Sequence, residues 1–208
     1  MNTPASFLIV MWVCLALPAL LLPALHGAGE QFRLIAESIE IAERGKVPGY
    51  ALLVDGKRMS FMSPVGWSVK PDAAKKTIQL LPADLRAGIR IKIVLEENGG
   101  KPELKAGQLR QKVLERYPGA KITHEFRCYT SGEEGLAFDI ERLVEEKTAA
   151  SARIAFVAFD GGTVEFELTA NTKTFADYHL RFGALLSSFR ISPAASKSAN
   201  TGRVGGSR

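Results

Sequence analysis

Two turns of the Asp-Gly type, each set between runs rich in apolar side chains, constrain this chain most. Asp55-Gly56 follows the apolar run 50–54 and precedes Met59 and Phe61, and Asp160-Gly161-Gly162 joins residues 152–159 to 163–169. Asp-Gly supplies the positive φ angles that a tight hairpin turn needs, so each site predicts two antiparallel strands. The later one is the clearest hairpin in the sequence, with Phe156 and Phe166 in or beside the core. Further strands are expected over 77–81 and over 89–96, where Ile89, Ile91, Ile93 and Leu95 alternate with Arg90, Lys92 and Val94. Residues 121–131 place Ile122, His124, Phe126 and Cys128 on one face, and Leu136, Phe138 and Ile140 alternate with Ala137, Asp139 and Glu141. A period of two gives each of these strands one buried face.

Helical spacing appears three times. Phe32, Ile35, Ala36, Ile39 and Ala42 recur with Glu37, Glu40, Glu43 and Arg44 off their face, which predicts an amphipathic helix over 32–44 within a segment 29–46. Residues 102–117 carry Leu104, Leu109, Val113, Leu114 and Tyr117 in a helical period, and Pro118-Gly119 stops it. Asn171 or Thr172 is placed to cap a last helix with Phe175, Tyr178, Phe182, Leu185 and Leu186 near one stripe, before Ser188-Phe189-Arg190-Ile191 closes the domain. In the segment 63–67, Pro64 has no backbone donor to give to a ladder and Gly66 permits a sharp turn, leaving Trp67 to cap the core edge.

The N-terminus gives an address. Residues 7–25 contain no charged side chain and lead into Gly27, Ala28 and Gly29. Roughly 20 apolar residues also suffice to span a bilayer, but Pro18 and Pro23 interrupt a continuous helix, and 7–17 has the length of an export-signal core. Residues 1–28 are read as an export signal, with an uncleaved membrane anchor as the alternative. Trp12 and Val13 before Cys14 do not resemble a lipoprotein context. Beyond that segment, about 180 residues make one domain of ordinary size. Lys197, Arg203 and Arg208 contribute three of the net +5 charges, so much of the basicity belongs to a Ser-, Ala- and Gly-rich tail, 193–208, expected to be disordered. A nucleic-acid role needs cations clustered on one face and is not expected. With Cys14 in the export segment, Cys128 stands alone, and size rather than cross-linking must stabilise the domain.

Three features together resemble a known family: the stretch Phe61-Met62-Ser63-Pro64-Val65-Gly66-Trp67, the hairpin at Asp160-Gly161-Gly162, and the helix from Phe175 into Ser187-Ser188-Phe189. They are similar to the PsbP-like fold, over residues 47–192. That fold is shared by an extrinsic photosystem II subunit, a Ran-binding nuclear import factor and many exported bacterial proteins. The resemblance implies an α+β domain, an antiparallel β-sheet flanked by helices in an α/β/α sandwich, and a role in binding partners rather than in catalysis. It does not reach the segment 29–46.

The chemistry-bearing residues give no site. Cys128 as a nucleophile requires a neighbouring base, and His124, four residues along the same strand, lies roughly 13 Å away at about 3.3 Å per residue. A buried structural thiol is favoured for Cys128, and a half-buried strand position for His124. A metal needs three or four ligands, and His124, His179 and Cys128 have no ligand spacing. Asp139 and Glu141, two apart on a polar strand face, are more simply solvated than cation-binding. Glu133-Glu134 and Glu145-Glu146-Lys147 read as loop charge, and Gly99-Gly100-Lys101 lacks phosphate-loop spacing. No Gly-x-Ser-x-Gly occurs. Trp67 and Tyr129 remain as aromatic anchors for a partner, with a core-edge role favoured for Trp67.

The sequence therefore predicts an exported, periplasmic or extracellular, non-catalytic domain. It has no cofactor, and its partner is an unknown envelope protein. Two alternatives stand beside it. One is a thiol-dependent enzyme or redox protein using Cys128 with His179 brought close by the fold. The other is a module held on the membrane by its N-terminus and basic tail.

Overall fold

The computed structural model describes residues 32–41, 45–144 and 148–193. The export segment 1–28, the charges at 145–147 and the tail beyond residue 193 lie outside the described residues.

The segment expected to be an amphipathic helix is a strand, β1 (Arg33–Ile41), paired antiparallel with β2 (Gly45–Val54). Residues four apart share a face in a helix and in a strand alike, so Ile35 and Ile39 fit both periods. Tertiary pairing decides between them: Ile35, Glu37 and Ile39 are half-buried while Ala36, Ser38 and Glu40 are exposed, and Glu37 forms an ion pair with Arg58 two strands away.

Arg58 lies on β3 (Lys57–Phe61), joined to β2 through Asp55 and Gly56 at φ of 45° and 69°, as the Asp-Gly signal requires. After the Pro64 turn come β4 (Trp67–Asp72), β5 (Thr77–Pro82) and β6 (Ala87–Leu95), then α1 (Ala106–Arg116). The helix starts four residues later than its apolar spacing suggests, because Lys105 is still extended. Next follow β7 (Lys121–Tyr129), β8 (Glu134–Val144), β9 (Thr148–Phe159) and β10 (Gly162–Asn171). A 3-10 turn (Phe175–Tyr178) leads into α2 (His179–Ser188), and β11 (Arg190–Pro193) ends the described chain. Asn171 caps the turn before the helix rather than the helix itself: its Oδ1 accepts from Lys173 N–H at 3.0 Å and its carbonyl from Thr174 N–H at 3.0 Å.

The strands form two antiparallel sheets, one in the order β1-β2-β3-β11 and one in the order β4-β5-β6-β10-β9-β8-β7. Together with the two helices they make an α+β domain. Alternation along the larger sheet sends side chains to two different cores. Phe138, Ile140, Ile154 and Phe156 pack with Val113 of α1 and with Tyr117 just beyond its end. Val157, Val164, Phe166, Leu168 and Ile91 point the other way, into a larger core with Leu52, Met59 and Phe61 of the small sheet and Phe182, Leu185 and Phe189 at the chain's end. Phe156 and Phe166 are thus both buried, as expected, but in separate cores.

Strand β7 departs from simple alternation. Its pairing with β8 shifts between Ile122 and His124, and such a bulge moves every following side chain to the other face. Ile122 packs in the α1 core, whereas Phe126 and Cys128 join the larger one. The expectation that Ile122, Phe126 and Cys128 share a face is corrected by this one-residue irregularity. No helix among the described residues is long and apolar enough to cross a membrane.

Candidate functional site

The turn 62–66 is fastened to the end of α2. Trp67 N–H donates to Pro64 O at 3.2 Å, and Gly66 takes a φ of 78° that few other residues adopt easily. Met62 N–H donates to Ser188 Oγ at 3.0 Å, and the Ser188 hydroxyl donates to Leu185 O at 2.8 Å. Below this link Phe189 stacks on Phe61 at 6.1 Å and meets Phe166 edge-on at 4.8 Å. The Pro-x-Gly-Trp stretch and the Ser-Ser-Phe helix end, far apart in sequence, are therefore two halves of one joint.

Between them runs an open groove of about 710 Å³. One wall is the turn with Met62, Pro64, Val65 and Trp67, another is the exposed side of α2 with Leu180, Arg181 and Ala184, and Tyr50 and Pro48 of β2 complete it. Leu180 is 88% exposed and Val65 fully so. Trp67, for which the sequence favours a core-edge role over that of an exposed anchor, is 7% exposed and edge-on to Tyr178 at 5.9 Å. It is a wall of the groove and part of the core edge, and its Nε1 is buried without an acceptor among the described residues. Arg181 lies 5.8 Å from the Tyr178 ring centroid. The groove thus combines apolar and aromatic walls with a single guanidinium.

Tyr129 is elsewhere, at the end of edge strand β7, and is 60% exposed. The fold does not bring it to Trp67's groove, which has no β7 residue in its lining.

Cys128 is buried, against Gly135 of the neighbouring strand. Burial pushes its thiol up to about 11 against a backbone hydrogen bond and the Arg153 charge, so almost no thiolate exists at neutral pH. His124 is exposed rather than half-buried, and it faces Asp139 across the strand pair. Asp139 is not on a solvated face either. It is buried and accepts two bonds from Arg153, at 2.7 and 2.8 Å, while Glu141 remains exposed. The pair that sequence placed together as a possible cation site is separated by burial and by Arg153, which occupies both carboxylate oxygens of Asp139. His179, at the start of α2, meets the Phe175 ring edge-on at 4.6 Å, and its Nε2 is buried without a hydrogen-bond partner among the described residues. Its pKa is lowered, first by burial and then by Arg153, with Asp139 acting in the opposite sense. No group of three or more His, Cys, Asp or Glu placed to hold a metal occurs among the described residues.

What sequence reasoning missed is the groove itself. Leu180, Arg181 and Ala184 lie off the buried stripe of α2, so a pattern search for core positions passes over them.

No protein-family model matches the chain, and no curated protein does. Solved structures similar to it include the cyanobacterial PsbP protein CyanoP from Synechocystis sp. PCC 6803, at a TM-score of 0.48 and 13% identity, covering 80% of this chain and 96% of that one. LpqN of Mycobacterium tuberculosis, described as involved in cell envelope biogenesis, is similar at a TM-score of 0.48 and 12% identity, covering 77% of this chain and 92% of that one. A PsbP protein is thus among the structures this chain resembles.

Proposed function

We propose that this chain is an exported, non-catalytic accessory domain, a PsbP-like α/β/α sandwich that binds an envelope protein. The observation that carries the reading is the position of Cys128. The one thiol in the described domain is buried, its pKa is raised to about 11, and it sits in an apolar core. A nucleophile needs the reverse, a depressed pKa and access to substrate. What the surface offers instead is contact: Tyr129 stands free at a sheet edge, and aromatic side chains of this kind serve as anchors in protein interfaces. Export rests on the uncharged run 7–25.

The test has two parts. A thiol reagent added to the native chain at neutral pH should leave Cys128 unmodified over the time in which denatured chain is fully labelled. Rapid native labelling would replace this reading with a thiol-dependent enzyme. Intact mass and fractionation of the natively expressed chain, with mild cross-linking, should then give a soluble form shortened at its N-terminus and joined to one reproducible envelope protein. A full-length chain in the membrane fraction without a partner would replace it with the anchored module.

A further inference from the structure

The groove beside Trp67 is not used by the accessory-subunit reading, and its composition points to a ligand of its own. Three observations define that ligand. The walls are apolar and aromatic over a space of about 710 Å³, within the range of roughly 300–1,000 Å³ typical of small-molecule sites. Leu180 and Val65 project at its mouth almost fully exposed, on separate elements, so the apolar surface continues outward from the groove. Arg181 is its single charged group. Among the described residues Arg181 forms no ion pair or hydrogen bond, and its guanidinium lies over the Tyr178 ring at 5.8 Å from the centroid.

A guanidinium that spends no N–H donor on a protein acceptor keeps its fork for a planar anion, which a carboxylate matches with two parallel hydrogen bonds. An apolar groove lined by one such group is complementary to a molecule with one long hydrocarbon tail and one negative head. A cationic head would meet Arg181 as a like charge, and a bulky polar head would leave the walls in water.

We infer that the groove between the 62–67 turn and α2 binds a free long-chain carboxylate, its tail against Met62, Pro64, Trp67 and Leu180 and its head paired with Arg181.

Trp67 itself reports on occupancy. The chain has two tryptophans, Trp12 and Trp67, so the full chain carrying Trp12→Phe leaves Trp67 as the sole indole emitter. The probe is a bromine-bearing dodecanoate, kept below its micelle concentration, because bromine quenches an indole only at contact. Saturable quenching is expected. Arg181→Glu should weaken it by at least about tenfold, as for a lost charge-assisted pair, and Arg181→Lys by less. Arg181 is an exposed helix position, so both variants should keep the parent's circular dichroism. Leu180→Asp should also weaken binding, through the tail rather than the head. Dodecyltrimethylammonium at equal concentration should not displace the probe. Absence of saturable quenching in the folded chain would overturn the inference, as would equal binding by Arg181→Glu or effective competition by the cationic amphiphile. A Trp67 response that follows protein concentration alone, with dimers in sedimentation, would assign the face to a second copy and overturn it too.

Discussion

Arg116 of α1 and Glu165 of β10 form a two-pronged ion pair beneath the helix. Both guanidinium Nη atoms donate to the carboxylate, Nη2 to Oε2 at 2.9 Å, and the Glu165 side chain is 1% exposed. The bond to Glu165 raises the Arg116 pKa against the effect of burial. Beside it Tyr117 O–H donates to Glu167 at 2.5 Å, and Arg90 pairs with Glu167 from β6. The polar face of β10, which reads in the sequence as ordinary strand alternation, is thus an ionic layer that fixes how α1 lies on the sheet.

Removing one member should cost far more than removing both. Arg116→Ala leaves Glu165 buried with only Lys112, at 3.8 Å, for compensation, and should lower stability by about 3–5 kcal/mol. Replacing the pair together with apolar residues of similar volume, Arg116→Met and Glu165→Leu, should recover most of that loss. Urea unfolding of the parent and the two variants decides it, and equal destabilisation of the single and double variants would mean that the pair is not the unit of stability.

Gly135 allows β8 to pass close to its neighbours. A Cβ there would run into the Phe156 carbonyl oxygen and come within 2.8 Å of Val157 Cγ2 and 2.9 Å of Cys128 Sγ. The first of these is backbone in a paired central strand, which has little room to yield. Gly135→Ala should therefore destabilise by about 2–3 kcal/mol, at the upper end for overpacking. Combining it with Cys128→Ala removes only the sulfur contact, so most of the loss should remain when the melting curves are compared. Full recovery in the double variant would place the crowding at the thiol instead.

Above neutral pH, Cys128 and Tyr117 act in the same direction. Burial raises the thiol from 9.0 to about 11, and burial followed by the bond to Glu167 raises the Tyr117 hydroxyl. Each keeps its proton in the folded chain at pH values where the unfolded chain has lost it. Their stabilising contribution is complete below their unfolded pKa values and is lost as pH rises towards the folded ones. The thiol's share of the loss between pH 9 and 11 is about 2–3 kcal/mol. Unfolding free energies measured across that window should fall less steeply in Cys128→Ala than in the parent. Parallel slopes would show that the buried thiol does not titrate with unfolding.

The hairpins, the helix before Pro118 and most strand faces were legible because each has a local cause: Asp-Gly turns, period-two alternation and breaker residues. β1 was not, since Ile35 and Ile39 satisfy two periods and only pairing with β2 selects one. Strand β4 was missed because its Ser68, Lys70 and Pro71 follow the pattern of an exposed edge. The bulge at Ile122 carries no residue-type signal, yet it decides which core receives Cys128. Burial of Cys128 was legible from its apolar neighbours, and the groove was not, because its walls meet only once Ser188 holds the 62–67 turn against α2. A site made by joining residues more than a hundred positions apart leaves no spacing to read.

His179 supplies the opposite limb of the pH profile. Its imidazole stands edge-on to Phe175, with Nε2 buried and no acceptor among the described residues, so protonation gains no hydrogen bond there. Burial first, then the Arg153 charge, lowers its pKa below 6.5, and Asp139 offsets only part of this because its carboxylate is already bound by Arg153. A base whose folded pKa is depressed takes its proton first in the unfolded chain. The stability it allows is therefore present above the unfolded value and is lost as pH falls below it. The unfolding midpoint should decline from pH 7 to pH 5, and His179→Gln should flatten that decline. Because His179 begins α2, one residue before Leu180, acid loosening should show first as exchange of the amides in the first turn of α2. An NMR titration placing His179 at or above the ordinary histidine value would remove the cause, and a His179→Gln profile as steep as the parent's would move the acid sensitivity to another group.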